Sequence, residues 1–160
     1  MERKGLSVVK GDVQEIIKML NKALSDEWLA YYQYWIGAKV IKGMMKEEVI
    51  AELDQHAADE LRHATMITER IAQLGGTPVL KPEDWYKLTN CGYEAPEDPM
   101  VKPVLKQNIK GEQCAISVYK ELSEFLKEKD SITYYMVLEI LHDEVEHEDD
   151  LINLLEDLES

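Results

Sequence analysis

Apolar residues recur every three or four positions along four long stretches of this chain, which is the spacing of one face of an α-helix. Gly43 separates the first stretch from the second, and Gly75 and Gly76 end the second. We therefore predict an all-α protein in which residues 1–160 form a single domain. The predicted helices cover about residues 10–42, 44–74, 100–128 and 131–157.

The segment between the second and third predicted helices breaks this pattern. Residues 77–103 contain all five prolines of the chain, together with Trp85, Cys91 and Gly92. Short connections make consecutive helices antiparallel, whereas a long crossover lets the two middle helices run parallel. A small inserted subdomain is the alternative, but the segment lacks a periodic apolar set large enough for its own core. We therefore expect an antiparallel four-helix bundle with a crossover at residues 75–99. Either Asp130 or Ser131 is expected to cap the fourth helix.

The net charge of the chain limits the kinds of partner that it can bind. Its 160 residues include 18 Lys and Arg against 32 Asp and Glu, which gives a formal net charge of −14. A surface of this charge attracts cations and repels a nucleic-acid backbone. No stretch resembles a signal peptide or approaches the roughly 20 apolar residues of a membrane span. We expect a cytoplasmic protein with neither a membrane nor a nucleic-acid partner.

Four glutamates lie in phase with the apolar positions of the predicted helices. Glu60, for example, falls between Ala57 and Ala64, so its carboxylate is directed at the core. A buried charge without a partner is strongly destabilising, and these carboxylates therefore require compensation. The inward glutamates, one for each helix, are Glu27, Glu60, Glu112 and Glu144.

The second and fourth helices share a motif in which a Glu is followed three residues later by a His. The first copy reads DELRHA and contains His63, and the second reads DEVEHE and contains His147. The two motifs are 84 residues apart, and the two other inward glutamates are 85 apart. The chain therefore looks like a duplicated helical hairpin. Folding should bring four carboxylates and two imidazoles to one depth around an approximate twofold axis.

This set of groups favours a dinuclear metal site. Two divalent cations balance four carboxylates, and each His offers a neutral nitrogen to one of them. Mixed carboxylate and imidazole ligation suits Fe or Mn better than Ca, Mg or structural Zn. A single E-x-x-H spacing is common on solvated helix faces, so the prediction rests on the whole set. We expect two Fe per subunit, with Mn as the alternative metal and Zn as a substitute.

With two E-x-x-H motifs and one further inward Glu on each remaining helix, the chain resembles the ferritin-like superfamily over its whole length. Haem-bearing bacterioferritins have Met directly after the Glu of helix two, where this chain has Leu61, so we expect no haem. The paired C-x-x-C motifs of a complete rubrerythrin are also missing. The resemblance implies a bacterioferritin-type centre with Glu27 and Glu112 as terminal ligands, Glu60 and Glu144 as bridging ligands, and His63 and His147 as nitrogen ligands.

Two cysteines indicate which subgroup of the superfamily the chain resembles. Cys91 lies in the crossover, and Cys114 lies two residues after the third-helix Glu. The pair is similar to that of the Dps-like "thioferritin" group, which combines a bacterioferritin-type centre with a dodecameric cage. The resemblance implies thiols that flank the metal site and either form a disulfide or relay electrons. The residues themselves leave another interpretation open, in which Cys114 is a packing residue and Cys91 an unpaired loop thiol.

Several residues near the predicted ligands are candidates for supporting roles. Asp59 and Asp143 each precede a bridging Glu, and their symmetry makes them candidates to hold a ligand imidazole from a neighbouring helix. Tyr34 and Tyr119 each follow a terminal Glu by seven residues. Either tyrosine is a candidate to hydrogen-bond a ligand or donate an electron, although core packing is the favoured role for Tyr119.

Two further features of the sequence lie outside the predicted ligand set. His56 and His142 have no counterpart in the other half of the chain, and we expect neither to be a ligand. The first helix also holds more aromatic residues than one helix face can bury, which predicts a subunit interface. Contact with the crossover is the alternative. These aromatic residues are Trp28, Tyr31, Tyr32, Tyr34 and Trp35.

The resemblance implies a di-iron ferroxidase that oxidises Fe(II) with H2O2 or O2. It would store the ferric product in a homo-oligomeric cage, expected to be a dodecamer, and protect against oxidative stress. One alternative is a non-storage di-iron or di-manganese oxidase, or a peroxidase or catalase of the rubrerythrin-like type. Another is a DNA-compacting Dps protein, which the net charge disfavours.

Overall fold

A computed structural model describes residues 1–160 and contains helices but no strands, which confirms the all-α prediction. None of the helices is long and apolar enough to cross a membrane. The α-helices are α1 (Val13–Val40), α2 (Lys46–Gln73), α3 (Trp85–Leu88), α4 (Val101–Leu126) and α5 (Ser131–Glu159), and two short 3-10 helices cover Lys4–Val8 and Pro82–Asp84.

Side chains and glycines define the ends of the long helices. Asp12 caps α1, where its carboxylate accepts a hydrogen bond from the backbone N–H of Gln14 at 2.9 Å. Asp130 is the residue that caps α5, because its carboxylate accepts from the backbone N–H groups of Ile132 and Thr133. Gly75 follows α2 with a φ of 81°, a left-handed conformation that favours glycine.

The four long helices form two hairpins, α1 with α2 and α4 with α5, which face each other through the α1–α4 and α2–α5 pairs. Their apolar residues form two separate clusters. One cluster of 14 buried residues includes Leu20, Ile67 and Leu126, and the other, of 10, includes Leu53 and Leu151. A buried polar layer lies between the two clusters, halfway along the bundle.

The chain between α2 and α4 is a crossover, as predicted, and not an inserted subdomain. Its 3-10 helix and α3 contain no buried residue, so the segment has no core of its own. Asp26 of α1 fastens it to the bundle, because its carboxylate accepts hydrogen bonds from the backbone N–H groups of Asn90 at 2.7 Å and Cys91 at 3.0 Å. The Thr89 hydroxyl and the Asn90 side chain donate to the same carboxylate.

The crossover also contacts part of the aromatic cluster on α1. Trp28 stacks on Trp85 with ring centroids 5.4 Å apart, and Tyr32 lies 6.2 Å from Tyr93. Tyr32 and Trp35 nevertheless remain 47% and 40% exposed. The crossover therefore covers the ring of Trp28, whereas Tyr32 and Trp35 still form an exposed aromatic surface.

Candidate metal centre

The six predicted ligands lie together in the polar layer between the two apolar clusters. Each of the four long helices contributes one glutamate, and α2 and α5 also contribute one histidine each. All six side chains are buried, with residue exposures of 3% or less. They form two overlapping groups whose ligand atoms lie within 4.8 Å of one another, namely Glu27, Glu60, His63 and Glu144, and Glu60, Glu112, Glu144 and His147.

The first group is centred on Nδ1 of His63. This nitrogen lies 3.0 Å from Oε1 of Glu144, 3.4 Å from Oε2 of Glu60 and 3.5 Å from Oε2 of Glu27. Ligands about 2.1 Å from a common ion and roughly 90–110° apart lie about 3.0–3.4 Å from each other. The separations are therefore close to those of a metal coordination sphere.

The second group repeats this arrangement around Nδ1 of His147. Here the nitrogen lies 3.3 Å from Oε1 of Glu60, 3.6 Å from Oε1 of Glu112 and 3.8 Å from Oε2 of Glu144. Glu60 and Glu144 thus each present one oxygen to His63 and the other to His147, whereas Glu112 contacts only the His147 group. The two shared carboxylates are placed to span two ions.

Each of the six side chains also carries one buried polar atom that has no hydrogen-bond partner. Such atoms are rare in folded proteins, since each one is strongly destabilising without a partner. Six of them on side chains of one buried layer indicate a site for a cation, and carboxylate oxygen with imidazole nitrogen is a donor set that suits Fe or Mn. The atoms are Oε2 of Glu27, Oε1 of Glu60, Nδ1 of His63, Oε2 of Glu112, Oε1 of Glu144 and Nδ1 of His147.

The other nitrogen of each histidine faces an aspartate on the opposite helix. Nε2 of His63 lies 2.8 Å from Oδ2 of Asp143, and Nε2 of His147 lies 3.0 Å from Oδ2 of Asp59. When Nε2 donates to a carboxylate, the neutral imidazole leaves Nδ1 free to bind a metal. Arg62 also donates to Asp143 and holds it in place. The sequence symmetry thus correctly placed both aspartates next to the histidines.

Two tyrosines bind the terminal glutamates across the bundle. The hydroxyl of Tyr34 on α1 donates to Glu112 on α4, and that of Tyr119 on α4 donates to Glu27 on α1. Tyr119 is 1% exposed and packs in the core as expected, but the expectation that packing is its main role was incomplete. The hydrogen bond to Glu27 is the alternative role that the shared seven-residue spacing had left open for Tyr119.

Burial and the neighbouring charges shift the pKa values of three of the carboxylates in different directions. Burial and the charge of Glu60 raise the pKa of Glu27 well above its ordinary value, and the same causes raise the pKa of Glu144. Burial also opposes ionisation of Glu60, but the adjoining Glu27, His147 and His63 groups outweigh it and lower its pKa. Glu60 is therefore the most readily ionised of these three groups.

The pKa values of the two histidines in this centre are raised by the surrounding glutamates. Burial alone lowers the pKa of an imidazole, but Glu144, Glu27 and Glu60 outweigh it and raise the pKa of His63 far above its ordinary value. For His147, Glu112 and Glu60 outweigh burial in the same way and raise the pKa to about 11. Both imidazoles therefore hold a second proton at neutral pH when no metal is bound.

His56 and His142 lie outside this set but in very different surroundings. His142 is on the surface, with 71% of its side chain exposed. His56 is 1% exposed and stacks on His147, with ring centroids 3.9 Å apart. Burial and His147 lower the pKa of His56 to about 4, so its ring is neutral.

The two cysteines form a disulfide beside this centre. The Cys91–Cys114 bond joins the crossover to α4, with Cα atoms 5.8 Å apart. Of the interpretations left open by the sequence, the structure supports the disulfide. The bond borders a cavity of about 480 Å³ that is also lined by Glu27, Tyr34 and Glu112. The cavity leads from the crossover to the buried carboxylates.

The fold and the donor set together define a class of protein, the helical bundles that bind paired metal ions through carboxylate and histidine side chains. The sequence model of the ferritin-like domain matches residues 17–160. The chain therefore belongs to the ferritin-like family, which confirms the resemblance inferred from its motifs.

Two relatives illustrate the range of the family. The chain is 31% identical over 149 residues to the "DNA protection during starvation protein" of Pyrococcus furiosus, a match that covers 92% of this chain and 78% of the relative. It is 28% identical over 142 residues to a bacterioferritin of Rhodobacter capsulatus, with 88% and 82% of the two chains covered.

Two solved structures superimpose closely on this chain. A dodecameric thioferritin, the bacterioferritin-related protein of Bacteroides fragilis, superimposes with a TM-score of 0.95 at 42% identity and covers 98% of this chain and 95% of its own. Dps from Thermosynechococcus elongatus superimposes with a TM-score of 0.84 over 89% of this chain and 90% of its own. At 17% identity, the second match shows the fold alone.

Proposed function

We propose that this protein is a ferroxidase that binds two Fe(II) ions at the six-residue centre, oxidises them with H2O2 or O2, and retains the ferric product. The observation that carries the proposal is the convergence of six buried, unpartnered ligand atoms, one from each predicted ligand. Four carboxylates and two neutral imidazoles balance two divalent cations. In this assignment Glu27 and Glu112 are terminal ligands, and Glu60 and Glu144 bridge the two ions.

The surrounding residues fix the geometry of the centre. Asp59 and Asp143 each accept a hydrogen bond from the Nε2–H group of one histidine, so that Nδ1 of each ring faces the ions. Tyr119 holds Oε1 of Glu27 and leaves Oε2 facing His63. Tyr34 holds Oε1 of Glu112, the oxygen that also lies 3.6 Å from Nδ1 of His147. These contacts cross between helices, so the ligands are positioned before the substrate binds.

The electrons of the reaction with H2O2 balance for two bound ions. Two Fe(II) ions supply the two electrons that reduce one H2O2, together with two protons, to two water molecules. No single-electron reduction of peroxide is required, so hydroxyl radical is not released. The cavity beside the Cys91–Cys114 disulfide gives the oxidant a route to the carboxylates. Burial between two apolar clusters excludes bulk water from the rest of the centre.

A Glu60→Ala variant tests this assignment directly. Since Glu60 presents an oxygen to each histidine, its removal should abolish rapid oxidation of anaerobically bound Fe(II) while helicity is retained. Glu69→Ala is the matched control, because Glu69 lies on the same helix and is exposed. Stopped-flow absorbance after H2O2 addition and circular dichroism give the two readouts. Unchanged oxidation kinetics in Glu60→Ala would contradict the proposed role.

Storage requires a closed assembly, and we propose a homo-dodecameric cage. The support is the high similarity to a dodecameric thioferritin and the exposed aromatic surface at Tyr32 and Trp35. Size-exclusion chromatography followed by iron loading tests the proposal. A hollow oligomer that takes up many irons per subunit supports storage. A dimer that stops at two irons would instead support a non-storage oxidase or peroxidase.

Two expected absences remain predictions. The formal charge of −14 predicts that duplex DNA does not bind tightly, although one relative is named for DNA protection. A gel-shift experiment at low salt checks this. Leu61, at the place of the haem-binding Met, predicts that the purified protein has no haem absorbance.

A further inference from the structure

The eight buried side-chain atoms without a hydrogen-bond partner include two that the dinuclear centre does not use. Both are ring nitrogens of His56, a residue that is only 1% exposed. A neutral imidazole has one N–H donor and one acceptor, and leaving both without a partner in the interior is costly. The position of His56 therefore calls for a partner that the protein itself does not provide.

Two carboxylates on adjacent helices face this imidazole. Nε2 of His56 lies 3.0 Å from Oε1 of Glu52, one turn earlier on α2, and 3.7 Å from Oδ2 of Asp150 on α5. The contact with Asp150 is too long for a hydrogen bond and the contact with Glu52 does not form one, so the nitrogen has no partner. The ligand atoms of these three residues lie within 4.8 Å of one another. This spacing is similar to that of the two groups in the dinuclear centre.

The two carboxylates are also poorly neutralised by the protein. Partial burial and the negative charge of Asp150 raise the pKa of Glu52. Neither residue forms an ion pair with a lysine or arginine, and His56 is the only basic group within 4 Å of them. Two close carboxylates beside a buried imidazole are a favourable environment for a cation.

We propose that Glu52, His56 and Asp150 form a third metal site that binds a divalent first-row transition-metal ion. One imidazole nitrogen and two carboxylate oxygens suit Fe(II), Mn(II), Co(II) or Zn(II). Glu52 is partly exposed and Asp150 is exposed, so the site opens to the surface while His56 closes its inner side.

The position of this third site gives it a role beside the dinuclear centre, a role that rests on the proposed ferroxidase function. His56 stacks on His147, and its ring nitrogen lies within 4.8 Å of the ligand atoms of His147 and Glu112. The cavity beside the disulfide is formed mainly by α1, α4 and the crossover, whereas the third site is formed by α2 and α5. The third site therefore lies next to the dinuclear centre on the face opposite the cavity.

Metal counting on the assembled protein tests the proposal, with Zn(II) as the probe. Equilibrium dialysis of metal-free protein should give three tightly bound Zn(II) per subunit for the wild type and two for the Glu52→Gln/Asp150→Asn variant. The control Glu48→Gln/Asp149→Asn removes the same charge from exposed positions on the same helices and should retain three. Anomalous diffraction at the zinc edge should show a peak beside Nε2 of His56.

The outcomes separate this proposal from the proposed function. Equal Zn(II) counts in the wild type and Glu52→Gln/Asp150→Asn, or no peak beside His56, would overturn the third site while two central ions would still support the ferroxidase. The variant Glu60→Ala should lose the central ions and keep the peak beside His56. A wild-type protein with a peak only beside His56 would support the third site and overturn the dinuclear centre.

Discussion

Loading the metal-free centre with two divalent ions should release at least two protons per subunit at pH 7, because metal ligands must be deprotonated. Two protons come from His63 and His147, whose pKa values are raised far enough that each imidazole holds a second proton at this pH. The raised pKa values of Glu27 and Glu144 act in the same direction and add to the release. A metal ion that binds these groups must displace each proton that they hold.

The same count fixes the pH dependence of metal binding. Two histidine protons for two ions are one proton for each ion, so the affinity for each ion should fall at least about 10-fold for every pH unit below 7. The sign follows from the raised pKa values, because lower pH favours the protonated, metal-free state. Unperturbed carboxyls with a pKa near 4.5 would contribute almost nothing to this dependence at pH 6–7.

The assay is an anaerobic titration with Co(II) in weakly buffered solution, followed by a pH indicator and by the visible absorbance of the bound ion. Mg(II) is the control for proton release from the acidic surface, since it prefers oxygen ligands and dehydrates reluctantly. Release of fewer than about one proton for each Co(II), or equal affinity at pH 6 and pH 7, would refute the protonation states inferred from burial.

Two further predictions concern the residues around the centre. Asp59→Asn should weaken metal binding about 10- to 100-fold, because it removes the carboxylate that orients the α5 imidazole. Competition with a chelator measures the metal affinity. A loss of affinity no larger than that of the exposed control Asp54→Asn would contradict the prediction. Replacing both Cys91 and Cys114 by Ser should lower the free energy of unfolding by about 3 kcal/mol, since the bond closes a loop with a sequence separation of 23. Denaturant unfolding checks the value, the reduced wild type is its control, and a midpoint equal to that of the oxidised wild type would exclude a stabilising disulfide.

Much of the fold and the position of the centre were predictable from the sequence. The apolar period defined four helices, and the phase of Glu60 within that period placed its carboxylate in the core. The near-equal offset between the two halves then indicated which groups meet. These are local or symmetric signals, and a folded bundle preserves them.

Other features depend on contacts between distant segments. The short helix α3 has only four residues, too few to show a repeat, and it packs on α1 through Trp85, so no periodic pattern marked it. The Cys91–Cys114 disulfide required the path of the crossover, which the spacing of two cysteines does not define. His56 lies outside the repeat, and its contact with Asp150 joins two helices that are far apart in the chain.

Two metal ions are proposed to hold the buried carboxylates and imidazoles together in the middle of the bundle. Anomalous diffraction at the iron edge, from crystals loaded anaerobically with Fe(II), locates such ions without reference to activity. We expect two central iron peaks per subunit, with Glu60 and Glu144 contacting both. A single central peak, or iron found only outside the six side chains, would rule out the dinuclear centre.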